Sequence, residues 1–288
     1  MKKLMSVMMI LVLMAMMFTG CSGSATADTT AAETSAAETT ATETETQAVA
    51  DKLQQIKDSG KLVLGTSADY PPFEFHLEVD GKDTIVGFDI DIANKIAAAI
   101  GVELEIVDMK FEGLLPALTA GKIDLIVSGM TPTDERKQSV DFSVVYYDAR
   151  QTMLVASDSK DVLNTIEAFA GKVIGAQKGS IQETLAATTF TASEVKAIDK
   201  IPNLMMELKT GKVDGLVLAE PVAKQYAAAN PDLAVNGLDL GSEGGSAVAV
   251  QKDSGAFLDL INQTIEEMIS SGEMDQVIAD AMLLSEGE

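Results

Sequence analysis

From about residue 61 onward the apolar positions alternate between two rhythms. Lys61-Leu62-Val63-Leu64-Gly65-Thr66 is a short apolar run of the kind buried on both faces, and Val102-Glu103-Leu104-Glu105-Ile106 alternates as a half-buried strand does. Between them Ile92, Ile96 and Ile100 recur at the spacing of one helix face, and Gly101 supplies a stop signal. A second helix is predicted around 113–120, closed by Gly121 and followed by an apolar strand over 123–128. Strand, helix and strand in this order predict a parallel sheet covered by helices.

The pattern then repeats. Leu118-Thr119-Ala120-Gly121-Lys122-Ile123-Asp124 is echoed by Leu208-Lys209-Thr210-Gly211-Lys212-Val213-Asp214, each a helix tail, a glycine suited to positive φ and a strand start. Two α/β units on one plan are the economical reading. Apolar segments at 144–155, including Tyr146 and Tyr147, and at 245–250 lie outside the βαβ rhythm and are expected to cross between the units. Two crossings would divide the folded part into a first lobe of 51–148 plus 246–288 and a second of 149–245, with a hinge and a cleft between them.

The N-terminal segment has a different character. Lys2 and Lys3 precede an apolar run over 4–18, too short for a comfortable membrane span and right for a signal-peptide core. Phe18-Thr19-Gly20-Cys21 resembles the bacterial lipobox, whose cysteine is lipidated and becomes the first mature residue, although Phe18 stands where leucine is usual. Residues 1–20 are therefore expected to be a lipoprotein signal peptide and Cys21, the single cysteine of the chain, a membrane anchor. Residues 21–50 are almost wholly Ser, Thr, Ala, Glu and Asp after the cysteine, a composition that cannot bury a core. As a coil this tether would hold the body about 30 Å from the membrane.

Composition narrows the function. The formal charge is −23, and loss of Lys2 and Lys3 with the leader would make it more negative still. Nucleic acid is not expected as a partner, because no basic stripe is available to displace phosphate counterions. The one histidine, His76, has no second histidine or thiol to join it in a metal cluster or nucleophile pair. Neither a Gly-x-Ser-x-Gly elbow nor a Gly-Lys-Ser/Thr phosphate loop is present. No cofactor and no metal are expected.

The chemistry concentrates in Ser128-Gly129-Met130-Thr131-Pro132-Thr133-Asp134-Glu135-Arg136, where an apolar strand gives way to backbone donors, hydroxyls and one guanidinium. A guanidinium fork matches the two oxygens of a carboxylate, and free amides and hydroxyls serve the remaining lone pairs. The plainer reading of Arg136 is a surface ion pair with Asp134 or Glu135.

Further landmarks carry a family resemblance. They are Gly65-Thr66-Ser67-Ala68-Asp69-Tyr70-Pro71-Pro72-Phe73-Glu74-Phe75, Gly87-Phe88-Asp89-Ile90-Asp91, Phe111 with Leu114-Leu115-Pro116-Ala117-Leu118, the segment Gly129 to Arg136 followed by Asp141-Phe142-Ser143, then Gly179-Ser180-Ile181-Gln182 and Glu220-Pro221-Val222-Ala223. In order and spacing the body from Lys61 resembles the polar amino-acid-binding proteins of ABC importers, the extracellular receptors for glutamine, histidine and lysine/arginine/ornithine. The resemblance implies an α/β clamp of the periplasmic-binding-protein kind, with two lobes of mostly parallel sheet flanked by helices and two hinge strands.

The same resemblance implies roles. Arg136 would hold the ligand α-carboxylate, helped by the Thr131 amide and by Ser180 and Ile181 at a helix start, where free N–H groups and the helix dipole favour an anion. The Gly129 carbonyl and Thr131 hydroxyl would accept from the α-ammonium, with Ser128 and Met130 beside them. Tyr70 and Phe111 would sandwich the side chain. On closure the second lobe would add Gln177, Ser180, Ile181 and Gln182.

One departure stands out. Many relatives complete the ammonium site with an aspartate at the position that here is Ala219, five residues after Asp214. Either Glu220 supplies that charge or the work falls to Ser67, Asp69 or a water. Asp89 matches a position that in lysine/arginine/ornithine receptors touches the cationic side chain, which makes a basic amino acid the first expectation. Asp89 capping a helix that begins near Ile90 is the plainer alternative. A monomer delivering its ligand to a permease, and through it to an ATPase, is the implied partnership. Cyclohexadienyl or arogenate dehydratases use a related clamp and stand as the enzyme alternative, and a ligand-sensing subunit of a receptor is the third reading.

Overall fold

Leu62 and Leu64, both fully buried, place the first apolar run at the centre of a sheet rather than at its edge. The structure is a computed structural model describing residues 51–286; the expected leader, the Cys21 anchor and the tether lie outside the described residues. Helix α1 (Asp51–Ser59) leads into β1 (Lys61–Thr66) and a small antiparallel sheet of β2 (Asp69–Tyr70), β3 (Glu74–Val79) and β4 (Lys82–Val86). Helix α2 (Phe88–Ile100), β5 (Glu103–Asp108), α3 (Phe111–Thr119), β6 (Leu125–Ile126), a short 3-10 turn (Arg136–Gln138) and β7 (Val140–Tyr147) follow. The next stretch comprises β8 (Arg150–Ala156), β9 (Val173–Gln177), α4 (Ile181–Thr189), β10 (Glu194–Ile198), α5 (Ile201–Lys209), β11 (Gly215–Ala219), α6 (Glu220–Ala229) and β12 (Leu233–Ser242). Strand β13 (Ser246–Gln251) and helices α7 (Ala256–Ser271) and α8 (Glu273–Ser285) complete the described chain.

Two five-stranded sheets result, ordered β5-β1-β6-β13-β7 and β10-β9-β11-β8-β12. In each, three parallel strands are joined by antiparallel ones: β13 runs against β6 and β7, and β8 against β11 and β12. Helices cover both faces of each sheet, which is why the central strands are apolar throughout instead of alternating. On the first sheet one face packs Leu62, Leu64 and Val248 against α2 and α7, and the other packs Ile126 and Ala249 against Leu114 and Leu118 of α3. The chain passes from the first sheet to the second between Tyr147 and Arg150 and returns between Ser242 and Ser246.

The echoed motif has a structural cause. Asp124 accepts the Val63 N–H through its side chain (2.8 Å) and returns its own N–H to the Val63 carbonyl (2.8 Å). Asp214 does the same with Val173, at 2.9 and 2.7 Å. In both copies the preceding glycine, Gly121 (φ 67°) or Gly211 (φ 69°), makes the left-handed turn that aims the aspartate at the neighbouring strand.

Two expected boundaries shift. The helix predicted around 113–120 is Phe111–Thr119. The strand predicted over 123–128 pairs only at Leu125–Ile126, because beyond it side chains take over: Thr66 Oγ1 donates to the Val127 carbonyl and the Ser67 N–H donates to Ser128 Oγ. The strand ends where the cleft begins.

Candidate functional site

The C-terminal ends of β1 and β6 lie side by side, where open α/β sheets present their ligand crevices. From these ends and from the second sheet, Tyr70, Glu74, Phe111, Ser128, Gly129, Thr131, Arg136, Gln177, Ser180, Ile181 and Gln182 converge on one pocket. Ten of these were expected from the sequence. Its room is about 20 Å³, enough for roughly one water. The pocket is thus nearly closed.

At one end sits Arg136. Its guanidinium donates to the Thr131 carbonyl (2.8 Å) and, across the cleft, to the Gly179 carbonyl (3.0 Å), and lies 5.5 Å above the centre of the Phe111 ring. Burial lowers its pKa to about 10, so it remains charged at neutral pH. The side chain is thus no surface ion-pair partner of Asp134. Facing it is the start of α4, where Ser180 caps the helix by accepting from the Glu183 N–H. The first-turn N–H groups of Ile181 and Gln182 have no carbonyl within the helix to bond, and both residues line the pocket.

Tyr70 and Phe111 form the apolar walls. The Tyr70 hydroxyl accepts from the Ala219 N–H (3.0 Å) and from Gln182 Nε2 (3.2 Å), tying the first lobe to the second. Its burial raises its pKa, so the phenol stays neutral. Gly129 adopts φ 52°, a left-handed conformation that exposes the backbone at the pocket and sends its N–H to Asp89 Oδ2 (2.7 Å).

The floor holds Glu74, a carboxyl only 1% exposed that accepts from Ser128 Oγ (2.6 Å). In the sequence, Glu74 figured only as part of the Gly65–Phe75 landmark and was not counted as a ligand contact. The signal that would have found it is the pleat: Glu74 and Phe75 are consecutive buried residues of β3, so their side chains leave opposite faces of the strand.

Other expected residues lie elsewhere. Asp69 turns away from the pocket toward the second lobe, accepting from the Ile201 N–H (3.3 Å) and Gln177 Nε2 (3.3 Å) with Lys200 at 3.7 Å. Burial lifts its carboxyl to about 6, with Lys200 pulling the other way. Ser67 is buried beneath it, its hydroxyl 3.5 Å from Asp69 Oδ1. Met130 is a core residue packed with Leu114 and Ile126. Asp89 neither caps a helix nor lines the pocket. Helix α2 begins at Phe88, and the Asp89 side chain accepts from the Gly129 N–H and the Tyr146 hydroxyl behind the floor. Glu220 lies outside the pocket, half-exposed at the start of α6 and paired with Lys224 at 2.6 Å, the partner one helical turn away. A cationic group in the pocket therefore meets Glu74 and not Glu220.

A belt of charges closes the rim. Asp108, Lys110 and Glu112 of the first lobe face Lys200, Asp199 and Lys178 of the second, with Lys200–Asp108 at 3.1 Å, Lys178–Glu112 at 2.9 Å and Lys110 bonded to Asp199. His76, on the exposed β3–β4 hairpin, bonds Asp83 and places its Nε2 3.7 Å from Asp108 of the belt. Among the described residues no group of His, Cys, Asp and Glu is arranged to hold a metal.

Two α/β lobes joined by paired crossings, with a guanidinium and a helix start meeting over a small polar pocket, define a ligand-binding clamp. The chain belongs to the bacterial extracellular solute-binding proteins, family 3, whose model matches residues 62–281. It is similar to the arginine-binding extracellular protein ArtP of Bacillus subtilis (strain 168), with 39% identity over 223 residues covering 75% of this chain and 84% of that one. A probable histidine-binding protein of Campylobacter jejuni is 36% identical over 218 residues, covering 75% of this chain and 83% of its own. Among solved structures, the amino acid ABC transporter substrate-binding protein AbpA from Streptococcus pneumoniae, bound to L-arginine, superposes with a TM-score of 0.78 at 41% identity, covering 81% of this chain and 98% of that chain.

Proposed function

We propose that the protein captures a cationic amino acid, with L-arginine the first candidate, between its lobes and presents it to the permease of an ABC-type importer. The observation that carries this reading is the polarity of the pocket: a buried cation and a helix start at one end, a buried carboxyl at the other, two aromatic rings between. In the proposed pose Arg136 and the α4 start hold the α-carboxylate, while Tyr70 and Phe111 flank the aliphatic stem. The Gly129 carbonyl and Thr131 hydroxyl accept from the α-ammonium, and Glu74 faces the cationic tail. The names of the relatives, receptors for arginine and for histidine, support a basic ligand.

The rest of the reading follows from the clamp. The lobes are taken as residues 51–148 with 246–288 and residues 149–245, hinged at the two crossings. Ligand enters the open form, the lobes close on it, and the closed form is what the permease recognises. Cys21 is the proposed lipid anchor on the outer face of the cell membrane, and the receptor works as a monomer. We read the protein as a binder without turnover. Incubation with prephenate or arogenate is expected to leave both unchanged, and product formation would replace this reading with the dehydratase one.

Calorimetric titration with L-arginine, L-lysine, L-histidine and L-glutamine tests the ligand class. Arg136→Ala is expected to cost at least the roughly 1.5–3 kcal/mol of a charge-assisted hydrogen bond. Undiminished affinity in that variant would overturn the assignment of the carboxylate site.

A further inference from the structure

Behind the floor of the pocket lies a second carboxyl that binding alone does not explain. Glu74 and Asp89 are 1% and 0% exposed. Asp89 Oδ2 accepts two hydrogen bonds, from the Gly129 N–H (2.7 Å) and the Tyr146 hydroxyl (3.0 Å), and Glu74 Oε1 accepts one, from Ser128 Oγ (2.6 Å). That leaves Glu74 Oε2 and Asp89 Oδ1 buried without an N–H or hydroxyl donor. Their donors Ser128 and Gly129 are consecutive residues, which sets the two carboxyls side by side, close enough for the charge of Asp89 to raise the pKa of Glu74. A bond between carboxyls requires a proton, and one proton between them satisfies both orphaned oxygens.

Two buried carboxylates side by side cannot both ionise without a cation. The groups facing the pair supply none. Asp69 and Tyr70 approach from β2, Tyr146 from β7, and Arg136 stands at the opposite end of the pocket, committed to the Thr131 and Gly179 carbonyls. Asp89, with two donors on one oxygen, is the better-stabilised anion. Glu74, with one donor and a place on the pocket wall, keeps the proton. Burial raises the pKa of both groups, in keeping with this arrangement.

We propose that Glu74 and Asp89 share one proton in the ligand-free protein and that the cationic end of the ligand displaces it to solvent, so that capture of a cation is coupled to proton release. The Glu74 O–H bond breaks, the proton leaves to water, and the ligand cation becomes the counter-ion of the pair. The idea rests on the cationic-ligand reading above and extends it to specificity. A neutral side chain leaves the proton in place and accepts from Glu74 instead, so rising pH favours cationic over neutral ligands. Affinity for a cation should rise by up to about tenfold per pH unit while the free protein holds the proton, and flatten once it does not.

Two measurements test this. Infrared difference spectra of the ligand-free protein at pH 7 should show a protonated-carboxyl stretch that disappears in Glu74→Gln and persists in a surface control such as Glu266→Gln. Calorimetry with L-arginine at pH 7, in buffers of different ionisation heat, should show close to one proton released per arginine in the wild type and none in Glu74→Gln. Absence of the carboxyl band, or arginine binding with a heat independent of buffer, would overturn the proposal while leaving the receptor reading intact. Failure of L-arginine to bind at any pH would sink the cationic-ligand reading and with it the displacement step, and the infrared band would still decide whether the proton is shared.

Discussion

At the scale of single residues the site depends on positions where a side chain would do harm as much as on those that reach the ligand. Gly87 takes φ 122°, and a Cβ there would lie 2.2 Å from the Phe73 carbonyl oxygen, which is backbone and cannot swing aside. That close approach lets the N–H groups of Phe88 and Asp89 bond the Pro72 and Phe73 carbonyls and so fixes the 70–74 loop, Tyr70 and Glu74 included, against the start of α2. Gly87→Ala is therefore expected to destabilise the protein by about 1–3 kcal/mol, measured by urea unfolding. An unchanged midpoint would show that the loop is not held there. The motif around Asp89 was legible in the sequence, but its role was not. Whether a carboxylate at a helix start caps the helix, meets a ligand or props a neighbouring loop depends on what the fold brings opposite it, here Gly129 and Tyr146.

At the scale of elements, α4 is a short helix whose start has two tasks. Ser180 accepts from the Glu183 N–H and donates to the Gln177 carbonyl, while the Glu183 carboxylate accepts from the Gly179 N–H. These bonds hold the first turn much as a capping box does, with Glu183 reaching one residue further back, to Gly179. Ser180→Ala is expected to lower stability by about 1 kcal/mol in urea unfolding, the ordinary value of an N-cap, and to weaken arginine binding less than Arg136→Ala does. A larger binding loss than that of Arg136→Ala would place the main anion contact on α4 instead. The helix could be read from Gly179-Ser180-Ile181-Gln182 in one dimension, whereas the partner across the cleft could not.

At the scale of the whole molecule, closure is a balance of contacts that exist only when the lobes meet. Tyr70 with Ala219 and Gln182, Asp69 with Gln177 and Ile201, and Arg136 with Gly179 are hydrogen bonds of this kind. The rim belt adds charges of alternating sign, negative, positive, negative on one lip against positive, negative, positive on the other. These pairs are partly exposed, so salt screens them and each contributes little alone, but reversing one member of a pair turns attraction into repulsion. The double variant Lys110→Glu, Lys178→Glu is expected to shift the ligand-free protein toward an open form, seen as longer distances between spin labels on the two lobes. Added salt is expected to favour opening in the wild type and closure in the variant, because it screens attraction in the one and repulsion in the other. Identical distance distributions for variant and wild type would remove the belt from the mechanism.

The sequence by itself determined what depends on neighbours along the chain. Apolar period set the strands and helices, and the Gly-Lys-x-Asp echo marked two units on one plan. The run from Ser128 to Arg136 marked a candidate carboxylate site because backbone donors, hydroxyls and a guanidinium sit there together. The tertiary structure decided which carboxylates face the pocket. Asp69, Asp89 and Glu220 carry the same carboxyl group as Glu74 and were as plausible in one dimension, yet the fold places Asp69 in the interlobe contact, Asp89 behind the floor and Glu220 beside Lys224. The physical reason is that a side chain's partners are set by pleat, helix phase and lobe closure, which join residues as far apart as Tyr70 and Ala219 and leave no local trace in the order of amino acids.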